Sequence, residues 1–112
     1  MKLDAYTVVF LRRPADAPSF SDEELETLQA EHVAFNARMR AEGKALLTGP
    51  LRGQPDESLR GISVFRTSVD ETRSLMEADA SVRAGRLTFE VCRWLVPEGT
   101  LGEAPLERIE VG

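Results

Sequence analysis

The sequence predicts an α+β fold on the ferredoxin-like plan, β-α-β-β-α-β, with an antiparallel sheet and two helices on one of its faces. Three observations carry this. Four runs rich in β-branched and aromatic residues alternate with two capped helical segments in that order. The first of those runs is apolar on both alternating sides, as a strand buried on both sides is. The chain's 112 residues, 42% apolar and 29% charged, suit one domain with one core.

Residues 5–12 form the predicted first strand. Tyr6, Val8 and Phe10 project to one side, Val9 and Leu11 to the other. Pro14 and Pro18 close it with a loop, and Arg12 with Arg13 reads as a solvated strand exit.

The first helix has a strong start. Ser21 and Glu24 have the spacing of a capping box, and Phe20 and Leu25 that of a hydrophobic staple. Leu25, Leu28, His32, Phe35 and Met39 recur at alternating intervals of three and four, one face of a helix. Glu23, Glu26, Glu31, Arg38 and Arg40 lie off that stripe, and Gly43 is placed to end the helix in a left-handed conformation.

Residues 45–48 read as a short second strand stopped by Gly49 and Pro50, and residues 50–58 as a loop. Residues 61–67 form the third strand. Ser68 and Glu71 then make a second capping box, opening a helix that carries Val69, Leu75 and Met76 as far as Ala78. Residues 79–85 read as a turn-like link. The last strand spans residues 86–96, with Leu87, Phe89 and Val91 on one face and Cys92 and Trp94 on the other.

The domain is thus expected at residues 1–97, with a tail at 98–112 whose alternating end, residues 106–111, adds a short edge strand or a dimer contact. Two helices cover only one sheet face, yet the strands are apolar on both. A second copy of the chain is the simplest cover, so a homodimer through the open face is expected; the alternative is the tail folded over it.

Several function classes are excluded at this level. The net charge of −5, from 19 acidic and 14 basic side chains, repels phosphate backbones, so nucleic acid is not an expected partner. One histidine and one cysteine cannot build a zinc site, and Cys92, alone, cannot form an intrachain disulfide; it reads as a buried packing residue. Asp22, Glu23 and Glu24 read as the acidic bias of a helix N-terminus rather than as cation ligands. There is no Gly-rich phosphate loop and no Gly-x-Ser-x-Gly elbow. No metal and no cofactor is therefore expected. The apolar stretch from Val8 to Leu11 is too short for a signal segment or a membrane span, so no membrane partner and a cytoplasmic location are expected.

The single histidine is the most informative residue. His32 occupies a slot on the inward stripe between Leu28 and Phe35. A satisfied core histidine is one reading, but a titratable ring in a small core costs free energy unless it has partners, and leucine would pack better there. A histidine acting as a base needs a carboxylate to fix its tautomer and leave the other ring nitrogen as acceptor. Asp79, where the second helix ends, is the best candidate; it reads equally as a turn-forming aspartate.

Taken together, several segments resemble the YciI-like (YCII-related) family of small proteins. They are residues 28–32 ending in His32, residues 42–51 with Gly43, Gly49 and Pro50, residues 61–66, and residues 78–85 with Asp79, Ala84 and Gly85 ahead of Arg93 and Trp94. The resemblance runs from Ala5 to Val96. The family's Asp-Pro-x-x-x-Ala-Gly pattern is kept except that Ala80 stands in place of the proline.

The resemblance implies a dimeric α/β-barrel-type assembly and a His32–Asp79 pair in a cleft that takes a small cyclic or aromatic molecule, with Gly49, Phe65, Gly85 and Trp94 around it. It also implies, by one characterised dehydrochlorinase acting on a chlorinated hydroxyquinol, cofactor-independent acid–base chemistry such as elimination or isomerisation. A non-catalytic ligand-binding or accessory module on the same fold is the alternative. A relative of cofactor-free monooxygenases is a third, separable by oxygen consumption.

Overall fold

A computed structural model describes residues 1–102 and 105–111. The elements are β1 (Lys2–Arg12), α1 (Asp22–Ala41), β2 (Ala45–Pro50), β3 (Leu59–Phe65), α2 (Val69–Met76), α3 (Ala80–Arg83), β4 (Thr88–Pro97) and β5 (Glu107–Glu110). The sheet order is β2-β3-β1-β4 and each pairing is antiparallel. This is the predicted α+β, ferredoxin-like plan. β1 is central, paired along its length with β4 and, from Thr7 to Arg12, with β3. Where β3 stops, β5 takes over the same edge against residues 2–5. The end of the tail therefore extends the sheet in its own plane.

The strand alternation divides the sheet into two unlike faces. Val9, Leu11, Phe65 and Ala45 point toward the helices and pack with Phe35 and Met39 of α1, Met76 of α2, and Leu87. Leu75, Val82, Phe89 and Val91 close the rim of that cluster. The inward stripe of α1 is as its spacing requires: Phe35 and Met39 are buried, and Leu25, Leu28 and His32 are half-buried at its N-terminal end. Both halves of the Ser21–Glu24 capping box are made. Gly43, at φ 72°, takes the left-handed conformation that releases the chain into β2. At α2 only half of the expected box forms: Ser68 accepts from the Glu71 N–H.

Two stretches differ in kind from their sequence expectation. β2 does not stop at Gly49 but runs through Pro50; it is an edge strand, where a missing N–H leaves no ladder bond broken. Residues 79–85 are not a plain link. They wind into the short helix α3, because the Asp79 side chain accepts the Val82 N–H and the Ser81 carbonyl accepts from both Arg86 and Leu87.

On the face away from the helices, Tyr6 and Val8 are buried in the middle of the sheet, while Leu47 and Trp94 are 58% and 49% exposed. Cys92, expected to be buried, is exposed on this face opposite Val8, because no helix covers it. The tail closes only the Asp4 end: Asp4 is fully buried and accepts from the Gly99 N–H and the Arg108 guanidinium. These bonds, Arg108 foremost, hold the Asp4 carboxyl below the ordinary carboxylate value against the opposing effect of burial. Among the described residues no helix is long and apolar enough to cross a membrane.

Candidate functional site

Three elements converge on His32. α1 carries the ring, and the junction between α2 and α3 carries Asp79. His32 Nδ1 lies 2.9 Å from Asp79 Oδ1. The carboxylate is fully buried and the imidazole side chain 15% exposed. The second oxygen, Oδ2, accepts the Val82 N–H at 3.2 Å. Asp79 thus does two things: one oxygen starts α3, and the other accepts from the imidazole. A carboxylate in that place takes a proton-bearing Nδ1, so the neutral ring carries its lone pair on Nε2. Nε2 lies beside Asn36, whose amide nitrogen is 3.4 Å away, a distance at the weak end for a hydrogen bond.

The local sequence explains the placement. His32 and Asn36 are one helical turn apart and share a face of α1. Asp79 is fixed by its bonds to the Val82 N–H and His32, and Ala80 follows it at the first helical position of α3, where no intrahelical bond calls for its N–H.

His32 lines a cavity of about 360 Å³ between the middle of α1 and the β2–β3 end of the sheet. Leu11, Val33 and Leu87 give it apolar walls; Gln29, Asn36 and Ser81 supply polar groups. Arg13, Arg52, Arg60 and Arg86 surround it, and none of its lining residues is acidic. Arg13 is held below the ordinary guanidinium value, first by burial and then by repulsion from Arg86 and Arg60. Among the described residues no three His, Cys, Asp or Glu side chains converge so as to hold a metal ion.

The other sequence candidates fall in different places. Gly49 lines the cavity, where its backbone runs against Gly61; a Cβ on Gly61 would come within 3.0 Å of the Gly49 carbonyl oxygen. Gly85 does not line it. At φ 80°, it ends α3 against Pro18 and turns the chain so that Arg86 and Leu87 reach the cavity. Phe65 is not an aromatic wall: it is 1% exposed in the central core, among helix-facing side chains. Nor is Trp94, which stands on the far side of the sheet, opposite Tyr6.

Sequence reasoning missed Asn36, Ser81 and the arginines. Asn36 was signalled by its four-residue spacing from His32. Arg13 was misread. Its neighbour Arg12 is the solvated exit, paired with Asp56 and Glu90, and the strand alternation sends Arg13 to the other face, into the cavity. Nothing local marks Arg60 or Arg86.

No profile of a known protein family matches the chain, and no curated protein matches it. Among solved structures, 5-chloro-2-hydroxyhydroquinone dehydrochlorinase from Burkholderia phenoliruptrix AC1100, in complex with 2,5-dihydroxybenzoquinone, is similar to it. The TM-score is 0.59 and the sequence identity 21%, over 80% of this chain and 92% of that one. At that identity the likeness is one of fold.

Proposed function

We propose that this chain is a YciI-like, cofactor-independent enzyme that moves a proton on a small cyclic or aromatic metabolite, by elimination or isomerisation. The observation that carries it is the His32 ring, tied at Nδ1 to a buried carboxylate, on the wall of an open cavity. Nε2 takes a proton from an acidic O–H or C–H of the substrate. The freed electron pair moves into the ring system and, in an elimination, expels the leaving group as an anion. Asp79 balances the imidazolium until its proton returns to water. The fold shared with a dehydrochlorinase supports an elimination of this kind.

The uncovered sheet face, with Leu47 and Trp94 exposed, is the surface through which a second copy pairs in this proposal. Residues 1–97 would then be the working domain and the tail its edge.

The test is turnover of a panel of halogenated and hydroxylated ring compounds, followed by halide release and ring absorbance. His32→Ala should lower the rate by about 10²–10⁴-fold, the usual share of general-base catalysis, with the circular dichroism spectrum unchanged. A rate that does not change removes His32 from the chemistry.

A non-catalytic binding module is the second reading, and Asn36 favours it, because its amide donor faces the lone pair that a base needs. Ligand binding with no turnover on the whole panel, in wild type and in Asn36→Ala, would establish it.

A further inference from the structure

We propose that the cavity beside His32 is built for an organic anion, a ring or short chain carrying a carboxylate, with Arg13, Arg60 and Arg86 as its charge partners. This rests on the reading of that cavity as the ligand site, and adds the charge class of what enters it.

The first observation is where the chain's arginines find partners. The sequence is acidic overall, with 19 carboxylate side chains to 14 basic ones. Elsewhere Arg12, Arg38, Arg73, Arg93 and Arg108 each meet a carboxylate, while among the described residues Arg40 and Arg83 stand singly without one. At the cavity, by contrast, four without a carboxylate gather together. Arg13, Arg52, Arg60 and Arg86 all line it, with no acidic residue among the lining. Among the described residues none of the four meets a carboxylate; Arg60 reaches only the backbone carbonyl of Glu57. The nearest buried acid, Asp79, has both oxygens engaged by His32 and Val82.

Arg13 also carries a donor with no acceptor. Arg13 Nε is buried from solvent and has no hydrogen-bond partner. A guanidinium N–H closed off from both water and protein is rare in a finished structure, because water is lost without replacement. A turn of the Arg13 side chain toward the cavity it lines brings this N–H to an oxyanion there, and the anion also offsets the repulsion from Arg86 and Arg60 that, after burial, holds Arg13 below the ordinary guanidinium value.

The third observation is shape. The guanidinium fork matches a planar carboxylate with two parallel hydrogen bonds. Leu11, Val33 and Leu87 provide apolar wall for the carbon skeleton, which inorganic phosphate lacks. A volume of about 360 Å³ is at the small end for ligand pockets, suited to a single ring. The arginines line the same cavity as His32, so in this proposal the groups that hold the anion also favour the negative charge that proton removal creates.

The test uses the full-length chain and two readouts that need no turnover: calorimetric titration, and the ring ¹⁵N and ¹H shifts of the one histidine. Benzoate, 3,4-dihydroxybenzoate and cyclohexene-1-carboxylate are compared with benzamide, phenyl phosphate and inorganic phosphate. At least one carboxylate should bind saturably, move the His32 signals and weaken with added salt. Benzamide should bind at least about tenfold more weakly than benzoate, the loss expected when one charge-assisted bond goes. Arg86→Gln and Arg60→Gln, each confirmed folded, should reduce carboxylate affinity by a similar factor.

Benzamide equal to benzoate, no carboxylate bound, tighter binding of either phosphate, or undiminished affinity in both variants each overturns the assignment. Failure of the acid–base proposal looks different: His32→Gln would still bind carboxylates normally, with no turnover found in wild type. Conversely, turnover of neutral rings that is indifferent to both arginine substitutions would leave proton transfer standing without the anion site.

Discussion

Asp79→Asn changes one buried atom from oxygen to nitrogen, and the surroundings dictate how the new side chain sits. The Val82 N–H, 3.2 Å away, is a fixed backbone donor and requires the remaining oxygen. The amide NH₂ must then face His32 Nδ1, 2.9 Å away, which becomes an acceptor. The neutral ring therefore moves its proton to Nε2 and presents a donor to the cavity where it had presented a lone pair. The charge-assisted bond to the carboxylate, worth about 1.5–3 kcal/mol, is replaced by a neutral one of about 0.5–1.5 kcal/mol. A loss of about 1–2 kcal/mol follows, and a fall in Tm of roughly 4–8 °C for a domain of this size. Because the shape is kept, the fold survives. Activity should fall far more than stability, by about 10²–10⁴-fold, since the base points the wrong way. The lone histidine makes the assay direct: long-range ¹H–¹⁵N correlation of the neutral ring reports which nitrogen carries hydrogen. Wild type should show Nδ1–H and the variant Nε2–H. A wild-type ring protonated on Nε2, or a variant with an unchanged tautomer, would refute the orienting role of Asp79.

Phe35, 4% exposed in the centre of the core, should cost about 3–5 kcal/mol when changed to alanine, read as a shift in the urea midpoint; a loss below about 1 kcal/mol would mean the core collapses onto the gap. Asp4, lowered by Arg108 and Gly99, adds stability that is complete above its unfolded value of about 3.9 and is lost as pH falls through its lowered folded value. Amide exchange in β5 should thus accelerate only below about pH 4, and Asp4→Asn should abolish that pH dependence. Trp94→Glu places a charge on the uncovered sheet face and, in the proposed homodimer, should shift the sedimenting species from dimer to monomer with the His32 resonances intact; an unchanged sedimentation coefficient would refute pairing through this face.

The elements were legible in the sequence where local and tertiary preferences agree. The capping box at Ser21, the glycine at 43, and the alternation of β1 each describe a segment whose backbone and whose buried side both demand the same residues. Misreadings fell where a neighbour decides. Pro50 stays in β2 because the strand lies at an edge, and α3 winds because a carboxylate engaged by His32 also caps it. Cys92 is exposed because its sheet face lacks a helix, which the apolar pattern around it does not reveal.

At the candidate site the same division holds. The stripe of α1 by itself places His32 inward, and the sequence names Asp79 as a carboxylate at a turn, because helical periodicity and capping are properties of consecutive residues. That these two meet at 2.9 Å, that Phe65 and Trp94 stay away, and that arginines from β3 and three connecting segments gather at one cavity were decided only by the tertiary fold. Packing brings together residues as far apart as Arg13 and Arg86, and no short-range pattern along the chain encodes which distant side chains will share a space.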